Sequence, residues 1–82
     1  MDSNWYLYIL RCGDGTLYTG ITNHVEKRLE AHRMGKGAKY TRGRGPLVLV
    51  HQECCGSRSN ALKREAAVKR LTRQQKEDLI GI

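Results

Sequence analysis

The chain has 82 residues and a mass of 9.3 kDa, enough for one compact domain and too little for two separate hydrophobic cores. Fifteen Lys and Arg residues against eight Asp and Glu residues give a formal net charge of +7, which predicts a polyanionic partner. No apolar run approaches the ~20 residues of a membrane-spanning helix and the N-terminus lacks a secretory signal, so we expect a cytoplasmic, non-membrane domain over residues 1–82.

A β-hairpin is the first predicted element. The segment WYLYIL is typical of a strand, and LYTGI resumes the pattern after a Gly-rich break. A two-residue turn at Asp14-Gly15 would leave Tyr8 and Tyr18 on opposite faces. An odd-length loop of three or five residues centred on Asp14 would instead pair Tyr8 with Gly20 and place both tyrosines on one face. The sequence leaves the two registers open.

A helix is predicted after the hairpin, capped by Thr22 or Asn23 and ended by the glycines at positions 35 and 37. Its apolar stripe, which should face the sheet, includes His32. Arg28 lies beside this stripe, so its guanidinium can point towards the tyrosines, extend to solvent or pair with nearby glutamates.

A third strand, LVLVH, is predicted after a basic, Gly-rich loop. Two further helices follow, the first opening at Ser57 or Ser59 and running to about Arg70, the second opening at Thr72 and ending near Leu79. The order is ββαβαα. If the third strand pairs with the first, the fold is α+β with a three-stranded antiparallel sheet in the order 2-1-3 and helices packed on it.

The three cysteines do not suggest a disulfide framework, because their number is odd and Cys54 and Cys55 are adjacent. Together with His51 they do not match the usual zinc-ligand spacings. We expect reduced cysteines that act as small buried apolar side chains near a strand end.

One carboxylate stands out in the second helix. In projection, Glu65 lies in the middle of the least polar face of that helix. A carboxylate in such a position needs a cation, and the choices are Arg58, Lys69 or a metal ion such as Mg²⁺.

The triplet YLY at positions 6–8, the triplet YTG at 18–20 nine residues later, and Arg28 ten positions beyond Tyr18 resemble the GIY-YIG nuclease domain. Over its whole length the chain is similar to the small stand-alone bacterial GIY-YIG proteins of the UPF0213 type. Tyr6 stands where the first triplet usually has Gly, and Thr19 replaces the Ile of the second. The resemblance implies an endonuclease of low sequence specificity that depends on Mg²⁺, with Mn²⁺ as an alternative.

The resemblance also assigns roles to five residues. Tyr8 and Tyr18 match the family's tyrosine pair, of which Tyr18 is favoured as the general base towards water. Arg28 matches the arginine that contacts the scissile phosphate, and His32 stands where the family places a Tyr or His. Glu65 matches the single metal-binding glutamate. Hydrolysis of a phosphodiester needs these functions: proton removal, positive charge on the phosphate and an anchored leaving oxygen.

The basic loop is the predicted nucleic-acid contact, with DNA favoured over RNA. Its candidate residues are Lys36, Lys39, Tyr40, Arg42 and Arg44. The alternative is a non-catalytic DNA- or RNA-binding module on the same fold, in which Glu65 is a structural ion-pair partner. A basic protein-interaction adaptor is a third hypothesis. A protein partner that supplies substrate recognition is compatible with the nuclease hypothesis.

Overall fold

The computed structural model describes residues 4–81. The elements in chain order are β1 (Trp5–Arg11), β2 (Leu17–Thr22), α1 (Val25–Arg33), a 3₁₀ turn (Lys39–Thr41), β3 (Val48–Gly56), α2 (Arg58–Lys69) and α3 (Arg73–Ile80). The predicted order ββαβαα is confirmed, and the 3₁₀ turn adds a short element to the basic loop.

The sheet has the predicted order β2-β1-β3 with both pairings antiparallel. Tyr8 pairs with Gly20, so the hairpin uses a five-residue loop rather than a two-residue Asp-Gly turn. The reason lies in Asp14, whose Oδ1 accepts hydrogen bonds from the backbone N–H and the hydroxyl of Thr16, at 3.1 and 2.6 Å. These bonds hold Thr16 in the loop, and Gly15 supplies the positive φ of 87° that the loop requires.

Helices cover both faces of the sheet. On one face, Tyr8 and Leu10 of β1 form a core with Leu29 of α1. On the other, Leu7 and Ile9 pack against Val68 of α2, together with side chains of α3. The continuous apolar sequence of β1 is explained by this burial on both sides. Within residues 4–81, no helix combines the length and apolarity that crossing a bilayer demands.

The helix boundaries differ from prediction at one cap. Neither Thr22 nor Asn23 caps α1; His24 does, with its Nδ1 accepting from the backbone N–H of Lys27 at 3.3 Å. The Thr22 hydroxyl does not cap the helix because it already accepts a hydrogen bond from the backbone N–H of His24, at 3.1 Å. The predicted caps Ser57 of α2 and Thr72 of α3 are confirmed.

The third strand is longer than the apolar pentapeptide predicted. It runs on through both adjacent cysteines to Gly56, which pairs with Trp5. All three cysteines are free. Cys12 is buried and Cys55 half-buried, but Cys54 is exposed, so the expectation of burial is wrong there. Neighbouring strand residues point to opposite faces, and two adjacent side chains of an edge strand do not share one environment.

Candidate active site

Two tyrosines from neighbouring strands lie side by side on the face that α1 covers. Their ring centroids, Tyr8 from β1 and Tyr18 from β2, are 6.3 Å apart. Gly20, directly opposite Tyr8, makes this possible, because a Cβ there would lie 2.6 Å from Oη and 2.7 Å from Cζ of Tyr8. The phenol ring therefore lies across β2 over a residue without a side chain.

His32 of α1 fixes the first tyrosine. Its side chain is buried, with Nε2 2.8 Å from Tyr8 Oη and Nδ1 2.8 Å from Thr41 Oγ1. The Thr41 hydroxyl donates its own proton to the carbonyl of Ala38 at 3.0 Å, so it accepts from Nδ1–H. Nε2 then accepts from the Tyr8 hydroxyl. The backbone N–H of Ala38 lies farther from Nδ1, at 3.4 Å, and the Thr41 bond sets the tautomer.

Arg28 of α1 places a positive charge beside Tyr8 and Tyr18. Hydrogen bonding to Tyr8 raises the pKa of Arg28, and the Tyr18 hydroxyl also contributes. Burial lowers the pKa of His32, and the charge of Arg28 lowers it further, so the imidazole is neutral at pH 7. Arg28 therefore points towards the tyrosines, one of the three orientations that the sequence left open.

The two phenols have different environments. Burial raises the pKa of Tyr8 to about 12, although its hydrogen bond with Arg28 acts in the opposite direction. Tyr8 is 2% exposed and stays protonated, and its hydroxyl donates a hydrogen bond to Nε2 of His32. Tyr18 is half-buried and so is the phenol of the pair that solvent or a substrate can reach.

Tyr40 of the basic loop joins this cluster. Its ring centroid lies 5.8 Å from that of Tyr18, and the Arg44 guanidinium lies 4.6 Å from its centre on an aromatic face. Arg44 is in turn paired with Asp14 of the hairpin loop, with 2.6 Å between Nη1 and Oδ2. The remaining predicted contacts of the loop, Lys36, Lys39 and Arg42, are exposed. The loop is therefore held against the hairpin with an aromatic ring beside Tyr18.

Glu65 is carried by a different helix from Arg28 and His32. It is on α2, the helix that packs on the other face of the sheet, and its side chain is 21% exposed. Its carboxylate pairs with Lys69 Nζ at 3.4 Å. Lys69 lines a groove with Tyr18 and Tyr40, so this ion pair lies next to the cluster at the β2 edge. Of the cations proposed for Glu65 from sequence, Lys69 is the one the structure supplies.

The donor set around Glu65 suits one kind of metal site. No group of three or more His, Cys, Asp or Glu side chains within residues 4–81 could hold an ion by itself. A lone carboxylate fits Mg²⁺, because this ion keeps several waters and takes its other ligands from substrate phosphates. Glu65 is therefore a chemically suitable single protein ligand.

Sequence reasoning missed the groups that position the site. Thr41, which binds His32, and Gly37, where a Cβ would lie 2.7 Å from the Cγ of His32, belong to a loop with no regular pattern. Gly20 had a signal: in the odd-length register it lies directly opposite a tyrosine. Nothing in the sequence indicated that Lys69 would share a groove with Tyr18, because that position depends on how α2 docks.

Comparisons with known proteins place the chain in a family. A family model of the GIY-YIG catalytic domain matches residues 4–78. A UPF0213 protein of Haloquadratum walsbyi is 52% identical over 79 residues, covering 96% of this chain and 89% of the relative. One from Yersinia pestis is 56% identical over 79 residues, covering 96% of this chain and 83% of the relative.

Two solved structures are also similar. The solution NMR structure of the UPF0213 protein of Bacillus halodurans superposes with a TM-score of 0.61 at 51% identity, covering 94% of this chain and 82% of the other. That of a protein from E. faecalis gives a TM-score of 0.66 at 45% identity, covering 98% and 88%.

Proposed function

The chain belongs to the family of GIY-YIG catalytic domains, and from this premise we propose that it is a metal-dependent endonuclease that hydrolyses phosphodiester bonds in nucleic acid. The observation that carries the proposal is the convergence of Tyr8, Tyr18, Arg28 and His32 at one place on the sheet. DNA is favoured over RNA, and sequence specificity is low because none of the helices within residues 4–81 has the character of a major-groove reader. This function is consistent with the formal charge of +7.

Tyr18 is the proposed general base. It is accessible where Tyr8 is not, and the Arg28 guanidinium lies beside its hydroxyl, where the phenol oxygen can take a proton from an attacking water. The same guanidinium is available to the negative charge that develops on the scissile phosphate.

Tyr8 and His32 act as positioning residues in this scheme. Nε2 of the neutral imidazole accepts a hydrogen bond from the Tyr8 hydroxyl, which leaves the Tyr8 oxygen free to accept from Arg28 and orient the guanidinium. Thr41 Oγ1 accepts a hydrogen bond from Nδ1–H of the imidazole and so fixes the orientation of the ring. Glu65 is the residue that would hold Mg²⁺ or Mn²⁺. When bound, the ion supplies Lewis-acid stabilisation of charge on the phosphate oxygens.

One observation favours a second candidate, a nucleic-acid-binding module without catalysis. Glu65 already has a cation in Lys69, so its burial is explained without a metal ion. In that case the basic loop and Tyr40 would bind nucleic acid, and the tyrosine cluster would serve the fold.

A cleavage assay separates the two candidates. Labelled single-stranded, duplex and branched DNA and matching RNA are incubated with the purified protein in Mg²⁺, Mn²⁺ or EDTA. Tyr18→Phe is expected to lower metal-dependent cleavage by about 10²–10⁴-fold, the typical share of acid-base catalysis. Glu65→Gln should also lower it, because it removes the proposed ligand of the metal ion. Tyr6→Phe is the matched control, because it removes a phenol hydroxyl from the same face of β1, and it should cleave normally. Binding without cleavage on every substrate would favour the binding module.

A further inference from the structure

A groove runs along the outer edge of β2 beside the tyrosine cluster, with a volume of about 230 Å³. It is built from β2, the 3₁₀ turn, α2 and α3, and we call it the β2-edge groove. Its lining residues are Leu17, Tyr18, Thr19, Tyr40, Lys69 and Lys76. We propose that this groove is a phosphate-binding subsite for the nucleotide next to the one that is cleaved.

The groove collects positive charge from two helices. Lys69 ends α2 and Lys76 lies in α3, and the docking of these helices brings both ammonium groups to one cavity. None of the lining residues is acidic. The carboxylate of Glu65 pairs with Lys69 beside the groove, at 3.4 Å, and Lys69 remains 55% exposed. Two ammonium groups around a cavity beside a reactive phenol are well placed to bind a phosphate.

Thr19 adds an independent sign that the groove takes a polar ligand. The residue lines the groove, is 4% exposed, and its Oγ1 is a buried side-chain oxygen without a hydrogen-bond partner among the described residues. Buried hydroxyls in native proteins almost always have a partner, and an orphaned one is typical of a place completed by water or by a ligand.

The aromatic side of the groove indicates a nucleotide rather than a bare anion. Tyr40 contacts both Tyr18 and Arg44 and is still 43% exposed, so the exposed part of its ring can contact a base whose phosphate binds at the lysines. Because Tyr18 belongs to both the groove and the active site, the phosphate bound here is the neighbour of the scissile one. In this respect the inference rests on the proposed function.

The test is the salt dependence of DNA binding in EDTA, where cleavage cannot interfere. Fluorescence anisotropy follows a labelled single strand of about 12 nucleotides. The groove variant is Lys69→Gln with Lys76→Gln, and the matched control, Lys63→Gln with Arg70→Gln, removes the same charge from α2 and its C-cap, outside the groove. Lys76→Gln alone keeps the Lys69–Glu65 ion pair of α2. A change in its salt dependence therefore reports on the groove and not on a loss of stability in α2.

We expect the slope of log affinity against log salt to fall by about 0.7 in the groove variant, the loss of one phosphate contact on a single strand. Lys76→Gln should lower the slope in the same direction, and the control should keep the wild-type slope. Equal slopes in the groove variant and the control would overturn the subsite, as would failure of the wild type to bind. Wild-type binding without metal-dependent cleavage would overturn the nuclease while a changed slope still supported the groove.

Discussion

Gly20→Ala is expected to destabilise the protein, against the usual trend. In a strand, Gly is less stable than Ala by roughly 0.5–1 kcal/mol, so the exchange would ordinarily stabilise the fold. Here the new Cβ would lie 2.6 Å from Oη and 2.7 Å from Cζ of Tyr8, and 3.1 Å from Cε2 of Tyr18. Carbon atoms in good contact are about 3.5–4.0 Å apart, so the Tyr8 ring must move.

The ring has little room to do so, because it is 2% exposed and bonded to His32. Overpacking of this kind costs about 1–3 kcal/mol. In a domain of this size, each kcal/mol lowers Tm by about 4–8 °C. After the gain of roughly 0.5–1 kcal/mol that Ala normally brings, a net cost of about 1 kcal/mol remains, so we expect Tm to fall by about 4–8 °C.

Thermal unfolding followed by circular dichroism measures the effect. Gly45→Ala is the control, since no atom lies within 4 Å of its added Cβ, and it should stay within about 0.5 kcal/mol of wild type. Gly20→Ala is then repeated in a Tyr8→Leu background, where the overlapping phenol atoms are gone. Gly20→Ala should be less costly there. Wild-type stability of Gly20→Ala, or an equal cost in both backgrounds, would refute ring overlap as the reason for the glycine.

Two further predictions concern the imidazole. Thr41→Val removes the acceptor of the His32 Nδ1 proton and should lower the free energy of unfolding by about 1–3 kcal/mol; an unchanged urea midpoint would contradict the assigned tautomer. Burial and then the Arg28 charge lower the pKa of His32 in the folded state, so below the ordinary value of 6.5 the unfolded chain binds the proton more readily. Stability should therefore fall as the pH drops through 6.5 towards the lower folded pKa, by up to about 1.4 kcal/mol per pH unit. Urea titrations from about pH 7.5 to 5.5 check this, and an equally steep decline in His32→Gln would assign it to other groups.

The strand and helix order could be predicted because each element carries its own local signal. The segment WYLYIL, the serine before α2 and the capping box at Thr72 all act over a few residues. The hairpin register could not be chosen, since Asp14-Gly15 favours a tight turn by local preference. The hydrogen bonds that Asp14 accepts from Thr16 override that preference, and they depend on a side-chain geometry that a residue pattern does not contain.

The candidate site was predictable in its chemical groups and not in its layout. The tyrosines, Arg28 and His32 are placed by regular elements, so their spacing was informative. Tyr40 was expected as a separate contact in the basic loop, but the fold brings its ring onto Tyr18. Glu65 was expected in one constellation with the tyrosines; the helix that carries it packs on the opposite face of the sheet, and its ion-pair partner Lys69 lines a groove with Tyr18. The positions of Tyr40 and Glu65 both depend on how segments far apart in the chain pack against each other.

The position of Tyr8 on β1 has a dynamic consequence. β1 is the central strand, hydrogen-bonded along both edges, and its side chains are buried on both faces. Releasing Tyr8 and its hydrogen bond to His32 therefore requires opening that approaches global unfolding, and amides of β1 should exchange with solvent slowest. Tyr40 is carried by a three-residue 3₁₀ turn in a loop and can be released by a local fluctuation. The proposed chemistry thus rests on the slowest-opening part of the chain, while the surface that first meets a substrate can adjust to it.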